Sequence, residues 1–205
     1  MSRTAAAPVD LILASASPTR AVLLRQAGLA VAVDPAAVDE AAAKESLRAA
    51  GADAGAAAIA LAELKAHKVS RRHAGGLVLG ADQLLECDGK WFDKPVDLAA
   101  ARRQLQALRG RRHRLYSAAV AVRDGVRLWH HVGEAGLTMR PFGDAFLDAY
   151  LERAGADLLG AVGAYRLEGL GVQLFAAIQG DHFTILGLPL LPLLDFLRGH
   201  RVLAA

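Results

Sequence analysis

Cysteine, aromatic residues and long apolar runs are scarce in this chain, and each scarcity excludes a class of protein. Cys87 is the only cysteine among 205 residues, so neither an intrachain disulfide nor a cysteine-based zinc cluster can form. The most apolar stretch, 185–194, is broken by Pro189 and Pro192 and is too short to cross a membrane. Residues 1–10 lack the apolar core of a secretory signal. We therefore expect a cytoplasmic protein without a membrane segment.

Net charge is also low, which argues against a nucleic-acid partner. The formal net charge is +3, because acidic and basic residues are interspersed. A protein that grips duplex DNA neutralises roughly 6–10 phosphates from one face, and only the arginine-rich run 109–114 approaches that density. We interpret this run as a solvated helix end and turn, with a phosphate-facing role as the alternative. We expect no nucleic-acid partner.

The pattern of apolar runs predicts an α/β protein. Hydrophobic residues make up 54% of the chain and charged residues 22%, which is typical of a globular domain. Residues 11–14 and 77–82 are short, unbroken apolar runs, as expected of strands buried on both faces. Helical segments alternate with these runs, at 18–27, 56–70 and 98–108. The prediction is a mixed, twisted sheet flanked by helices, in one domain over 1–205 with a flexible tail at 1–9.

The stretch Leu11–Arg20, reading LILASASPTR, predicts a phosphate-binding loop. A buried strand runs into a serine-rich turn, where Ser17 can cap a helix whose first residue is Pro18. Backbone N–H groups, the hydroxyls of Ser15 and Ser17, and Arg20 would then point to one place, as in proteins that hold phosphate. A plain helix cap that binds nothing explains the same pattern.

Two carboxylates are candidate magnesium ligands. Asp82 is expected to end the strand 77–82, and ligands of open α/β sheets gather beyond the carboxyl ends of the strands. Glu40 follows Asp39 in a loop that can fold over the same edge. One or two carboxylates, with substrate phosphates and waters, satisfy Mg²⁺. The competing interpretations are a turn residue for Asp82 and a helix N-terminal acid for Glu40.

Two lysines are candidates for neutralising phosphate charge. Lys94 precedes Pro95 in a restrained backbone, and Lys65 lies on a helix that is otherwise rich in alanine and leucine. Each is equally explained as a surface lysine. The seven histidines show no metal-binding spacing and are interpreted as solvent-facing or packing residues.

In order and spacing, the motifs of this chain resemble those of the Maf family of nucleoside triphosphate pyrophosphatases. The resemblance covers nearly the whole chain. Its parts are LILASASPTR, Val38-Asp39-Glu40, LAELKA at 61–66, LGADQ at 79–83, Lys94-Pro95, LRG at 108–110 before His113, GAYRLEGLG at 163–171 and GDHFTILGLPL at 180–190.

The resemblance implies an elongated, two-lobed fold with a central cleft, compatible with a homodimer. It implies hydrolysis of a nucleoside triphosphate between the α and β phosphates, with Mg²⁺ or Mn²⁺ as cofactor. Matching positions imply that Glu40 and Asp82 bind the metal and that Asp82 orients or deprotonates the attacking water. The implied role of Lys65 and Lys94 is to offset the triphosphate charge, and that of Ser15, Ser17 and Arg20 is to hold phosphates.

Three positions separate this chain from the pyrimidine branch of that family, which acts on dTTP and UTP. The pyrimidine branch has motifs similar to SPRR, ADT and IQG. At the third position of the first two motifs this chain has Thr19 and Gln83, and in place of the glutamine of IQG it has Glu168. Gln83 and Glu168 are similar to the residues of the branch that acts on 7-methyl-GTP, which implies that both contact the substrate. A carboxylate accepts both the N1–H and the 2-amino hydrogens of guanine, whereas a turn-capping role for Glu168 is the alternative.

Two other functions stay open at this point. One is a dTTP or UTP pyrophosphatase of the same family. The other is a non-catalytic nucleotide-binding regulator of cell division, which would bind nucleotide without releasing pyrophosphate.

Overall fold

The computed structural model describes residues 9–204, and its centre is a seven-stranded mixed sheet. The flexible tail predicted for residues 1–9 therefore lies outside the described residues, except for Val9. The strands are β1 (Leu11–Leu13), β2 (Val31–Val33), β3 (Val78–Cys87), β4 (Lys90–Phe92), β5 (Arg112–Arg123), β6 (Val126–Met139) and β7 (Phe175–Gln179). Their order is β2-β1-β3-β5-β6-β7, with β4 paired to β3.

Helices flank this sheet, which confirms the predicted α/β class. They are α1 (Pro18–Gln26), α2 (Glu40–Ala49), α3 (Ala54–Ser70), α4 (Leu98–Leu108), α5 (Asp144–Ala154), α6 (His182–Ile185) and α7 (Leu190–Gly199). Gly180-Asp181 predicts only a turn, whereas the structure has the short helix α6 directly after it. The sequence of residues 155–169 predicts a loop, but the structure has 3₁₀ helices there at Gly155–Gly160 and Val162–Ala164.

Local capping signals in the sequence explain where several helices begin. The Ser17 side chain accepts a hydrogen bond from the backbone N–H of Arg20, and Pro18 occupies the first turn of α1, as predicted. Asp39 and Asp97 cap α2 and α4 in the same way. The caps matter for function because α1 and α2 begin beside the same cleft.

The position of Asp82 differs from the sequence prediction. The strand expected to end at Asp82 continues to Cys87, so Asp82 lies in the middle of β3. The strand extends because β5 runs antiparallel beside it, with Asp82 paired to Ala118. On its other side β3 is parallel to β1, which stops at the pair Leu13 and Leu79. Because β1 ends before it reaches Asp82, the loop after β1 lies next to this residue.

Three apolar clusters form the core, and the sheet separates two of them. On one face, α3 packs on alternate residues of β3 and β5, including Val78, Leu84 and Val120. On the other face lie α1 and α7, whose leucines contact Leu79 and its neighbours. The third cluster joins α4, α5 and the far end of β3 from Leu85 onward.

Gly80 sets the distance between α3 and the sheet. A Cβ atom at Gly80 would lie 1.9 Å from the carbonyl oxygen of Ala62 and 2.9 Å from the Cβ of Ala66. Both contacts are far closer than atoms can approach. The absence of a side chain at Gly80 therefore allows α3 to pack directly on β3, with Lys65 beside Asp82.

We expect Gly80→Ala to destabilise the fold by at least about 1–3 kcal/mol, because the new methyl group forces the helix away from the strand. Urea unfolding followed by circular dichroism measures this loss. Gly199→Ala is the matched control, since a Cβ there meets nothing within 4 Å. Equal unfolding midpoints for the two variants would contradict the packing argument.

Candidate active site

A cleft of about 680 Å³ contains all the residues predicted to form a site. Its volume is in the range of small-molecule binding sites. The predicted residues that line it are Ser15, Ser17, Arg20, Glu40, Lys65, Asp82, Gln83, Lys94 and Glu168. The structure thus brings together segments that are far apart in the sequence. The individual roles of these residues remain predictions.

A buried lysine joins the two carboxylates predicted to bind metal. The ammonium of Lys65 lies 2.6 Å from Asp82 Oδ1 and 2.7 Å from Glu40 Oε1. Lys65 is only 6% exposed and Asp82 only 4%. Burial would raise the pKa of Glu40, but the hydrogen bond and charge of Lys65 lower it below the usual value. Lys65 is therefore a fixed counter-ion inside the cleft.

The chemistry of these oxygens fits a divalent cation that also binds substrate. Asp82 Oδ2 is buried and has no hydrogen-bond partner in the described chain. Within residues 9–204 no group of three or more His, Cys, Asp or Glu side chains is arranged to hold a metal ion. Asp82 and Glu40 could therefore supply only part of a coordination shell, as is usual for Mg²⁺ bound with phosphates and water.

Arg20 is a structural link as well as a cleft cation. Its guanidinium donates to Ser15 Oγ at 2.9 Å, to the Ala81 carbonyl at 3.0 Å and to the Gly187 carbonyl at 2.7 Å. The residue is buried, and burial lowers its pKa, whereas the charges of nearby carboxylates act to raise it. Nη2 is the guanidinium nitrogen without a partner among residues 9–204, so phosphate contact is expected there.

The hydroxyls of the serine-rich loop retain protons to donate. Ser15 Oγ accepts from Arg20 Nη1 and from the backbone N–H of Ser17 at 3.3 Å. Ser17 Oγ accepts from the backbone N–H of Arg20. Each hydroxyl also carries one O–H donor. The loop can therefore cap α1 and bind an anion at the same time.

Lys94 is the candidate phosphate ligand with the most freedom. No hydrogen bond or ion pair engages its ammonium among the residues that the structure describes, whereas its neighbour Asp93 pairs with Lys44 at 2.5 Å. Partial burial in the cleft lowers the pKa of Lys94, and the positive charge of Arg20 lowers it further. An anion that enters this cleft would relieve the repulsion between the cations Lys94 and Arg20.

Gln83 and Glu168 lie on the cleft wall in different environments. The amide nitrogen of Gln83 donates to Ser117 Oγ at 3.0 Å and to the Ile185 carbonyl at 3.0 Å. This nitrogen is committed to the protein, which leaves Oε1 for a ligand. The Glu168 side chain is 41% exposed and lies 3.9 Å from Arg166. A carboxylate and a guanidinium therefore share this part of the wall.

Two features outside the cleft lining bear on interpretation of the sequence. Trp91 packs against the core cluster of α3, β3 and β5, and the Arg48 guanidinium lies 4.8 Å from its ring centroid. The arginine-rich run 109–114 is a helix end and turn only in its first half, because Arg112 and the residues after it belong to β5 and His113 is buried. Its arginines are paired and do not form a free basic face. Its partners are Asp144 for Arg109, Asp88 for Arg111, Gln179 for Arg112 and Glu134 for Arg114.

Sequence reasoning did not identify His113 and Tyr165 as partners. His113 Nε2 lies 2.8 Å from the hydroxyl of Tyr165, whose side chain lines the cleft. His113 is 1% exposed, and its Nδ1 has no partner within residues 9–204. Burial lowers its pKa from 6.5 to about 4. The position of His113 three residues after LRG was the available signal, but spacing alone could not reveal its partner.

Comparison with known proteins places the chain in a family. Residues 10–200 match the family described as Maf-like protein. The chain belongs to the Maf-like family. This Maf-like protein is 60% identical over 187 residues to a "Nucleoside triphosphate pyrophosphatase" of Paramagnetospirillum magneticum, covering 91% of this chain and 96% of the relative.

Other Maf-like relatives carry a more specific name. The chain is 53% identical over 188 residues to a "7-methyl-GTP pyrophosphatase" of Mesorhizobium japonicum, covering 92% of this chain and 94% of the relative. It is 55% identical over 193 residues to a "Nucleoside triphosphate pyrophosphatase" of Rhodospirillum rubrum, covering 94% and 96%. Among its described residues, this Maf-like protein has no helix that is long and apolar enough to span a membrane.

We expect His113 to make the protein acid-sensitive between about pH 6.5 and pH 4. In this window the unfolded chain binds a proton at His113 and the folded chain does not, so stability falls as the pH falls. His113→Phe should remove about 2–3 kcal/mol of that dependence. Urea unfolding of both proteins at pH 7 and pH 4.5 measures the difference. Identical pH slopes would contradict the assignment.

Proposed function

We propose that this protein is a nucleoside triphosphate pyrophosphatase whose substrate is 7-methyl-GTP. It hydrolyses the bond between the α and β phosphates, releasing the nucleoside monophosphate and pyrophosphate. The observation that carries the proposal is the buried pair of Lys65 and Asp82, joined by the half-exposed Glu40, in a cleft with further cations. Membership of the Maf-like family and the names of its relatives support the same activity.

The phosphates bind where the cations converge. Arg20 and Lys94 supply positive charge, and the hydroxyls of Ser15 and Ser17 donate from the loop after β1. Phosphoryl transfer requires mainly positioning and neutralisation of charge, so no histidine or cysteine nucleophile is needed. These groups hold the triphosphate in line with the carboxylates.

Asp82 orients the attacking water and accepts its proton. Its Oδ1 is held by Lys65, whereas the buried Oδ2 has no partner among the described residues and is free to accept. The water oxygen then bonds to phosphorus as the phosphoanhydride bond breaks, and the bridging oxygen leaves with pyrophosphate. Lys65 fixes the direction of the carboxylate throughout.

We propose that Asp82 and Glu40 hold Mg²⁺ or Mn²⁺ together with the substrate phosphates. The bound cation would neutralise charge on the transferred group and on the leaving pyrophosphate. Asp82 Oδ2 has no partner among the described residues and carries two lone pairs, so one could face the ion while the other accepts from the attacking water. Since Glu40 Oε1 is paired to Lys65, Oε2 is the oxygen expected to turn toward the ion.

We assign selection of the base to Glu168, with Gln83 as a second contact from another part of the cleft wall. The exposed carboxylate of Glu168 can accept two hydrogens from guanine, and the positive charge of a 7-methylated ring would strengthen that contact. Gln83 can offer only its Oε1, since its nitrogen is bonded within the protein. We also propose a cytoplasmic location, as expected from the sequence, and a homodimer, with which the family resemblance is compatible.

Asp82→Asn should reduce turnover by about 10²- to 10⁴-fold, because the amide cannot accept the proton from water. Pyrophosphate release from 7-methyl-GTP with Mg²⁺ measures this, and circular dichroism checks folding. Asp148→Asn is the matched control, since that exposed carboxylate pairs with Arg102 outside the cleft. Retained turnover in folded Asp82→Asn would remove Asp82 from the catalytic role. Nucleotide binding by wild type without pyrophosphate release would instead favour the non-catalytic regulator.

Glu168→Gln should lower kcat/KM for 7-methyl-GTP by about 10- to 100-fold and raise the relative rates for UTP and dTTP. Loss of hydrogen bonds to a charged acceptor has this magnitude. A panel of 7-methyl-GTP, GTP, UTP and dTTP measures the change. Glu152→Gln on α5, outside the cleft, is the control for the same substitution. Wild-type preference for UTP or dTTP would overturn the substrate assignment while leaving the activity intact.

A further inference from the structure

The pair of His113 and Tyr165 is a buried polar contact that the proposed chemistry does not use. Their hydrogen bond of 2.8 Å lies in an apolar environment, where the Phe175 ring packs on both residues. His113 Nδ1 is buried without a partner among residues 9–204. An unsatisfied buried polar atom lowers the stability of the fold, so we expect the pair to have a function that offsets this cost.

Tyr165 belongs to the segment 160–168, which forms one wall of the cleft. Two consecutive residues in that segment, Gly163 and Ala164, have positive φ values of 77° and 59°. Left-handed backbone at Ala164 is unfavourable and persists only where the surroundings enforce it. Tyr150 donates to the Ala164 carbonyl at 3.3 Å, and His113 holds the next side chain. The segment is therefore fixed from two sides.

This fixed segment lies away from the phosphate-binding end of the cleft. Arg20 contacts β3 at Ala81, whereas a Cβ at Gly163 would lie 2.5 Å from the Leu85 side chain. The two positions on β3 are four residues apart, about 13 Å at 3.3 Å per residue. His113 is farther along the same direction, because β5 pairs Leu115 with Leu85. His113 can therefore influence the wall around Arg166 and Glu168 without touching the phosphate groups.

We propose that His113 and Tyr165 are positioning residues for recognition of the nucleotide base. Their hydrogen bond holds segment 160–168 in place, including its left-handed residues Gly163 and Ala164. It thereby places Arg166 and Glu168 against the base. This inference rests on the proposed function, because it assigns the segment to a nucleotide. Neither residue of the pair takes part in the bond-breaking step.

The test uses His113→Phe, Tyr165→Phe and the double variant of the full chain. Calorimetry measures binding of two probes, an α,β-methylene analogue of 7-methyl-GTP and inorganic tripolyphosphate, which has no base. Each single variant should bind the nucleotide roughly 10- to 100-fold more weakly, while binding of tripolyphosphate stays within about twofold. The double variant should be no weaker than the singles, because both remove the same hydrogen bond.

Two further variants separate positioning from general destabilisation. His113→Gln can restore a polar atom near the Nε2 position and should recover part of the nucleotide affinity. Tyr116→Phe, on the same strand outside the cleft lining, is the control and should bind both probes as wild type does. Thermal melts confirm that each variant is folded at the assay temperature.

Three results would overturn the inference. Folded variants that bind the nucleotide as tightly as wild type would show that the hydrogen bond does not position the wall. Equal loss of both probes would indicate a structural role for the whole cleft. Wild type that binds tripolyphosphate but not the nucleotide analogue would contradict the proposed substrate, and the inference would fall with it. Only this last result also contradicts the proposed function.

Discussion

The ion pair between Lys65 and Asp82 is the constraint on which the cleft depends. Both groups are almost fully buried, and a buried charge without a partner is strongly destabilising. The pair joins α3 to β3, and Glu40 extends it to the start of α2. Three elements from separate parts of the chain thus meet at one ammonium group. The fold and the candidate chemistry share these contacts, so one cannot be altered without the other.

Backbone packing places this pair. Because Gly80 has no side chain, α3 lies directly on β3 with Lys65 in reach of Asp82. Because β1 ends beside Leu79 while β3 continues, the serine-rich loop opens onto the same place. A longer β1 would cover Asp82, and a residue larger than glycine at position 80 would push α3 and Lys65 away from it. The cleft is therefore a consequence of unequal strand lengths and one missing side chain.

The sequence predicted the local elements well and their partners poorly. The cap at Ser17, the helix at 98–108 and the α/β class follow from local patterns, and the structure confirms them. The predicted end of β3 at Asp82 was wrong, because apolar periodicity does not reveal how far an antiparallel neighbour extends. The partnership of His113 with Tyr165 joins residues 52 positions apart and has no local signature. The motifs predicted residues that the structure brings together in the cleft. They could not predict which atoms of those residues are already bonded within the protein.

Those internal bonds change how substitutions at position 83 should be interpreted. Gln83 commits its amide nitrogen to Ser117 and the Ile185 carbonyl, and Arg20 reaches the Gly187 carbonyl from the other side. The segment around α6 is thus held by two residues of the cleft. Threonine at position 83 would be too short to make the same contacts, so the segment would have to settle differently. Under the proposed function, the residue after Asp82 would act on the base partly by placing a neighbouring segment, and Glu168 would be the side chain left to contact the base directly.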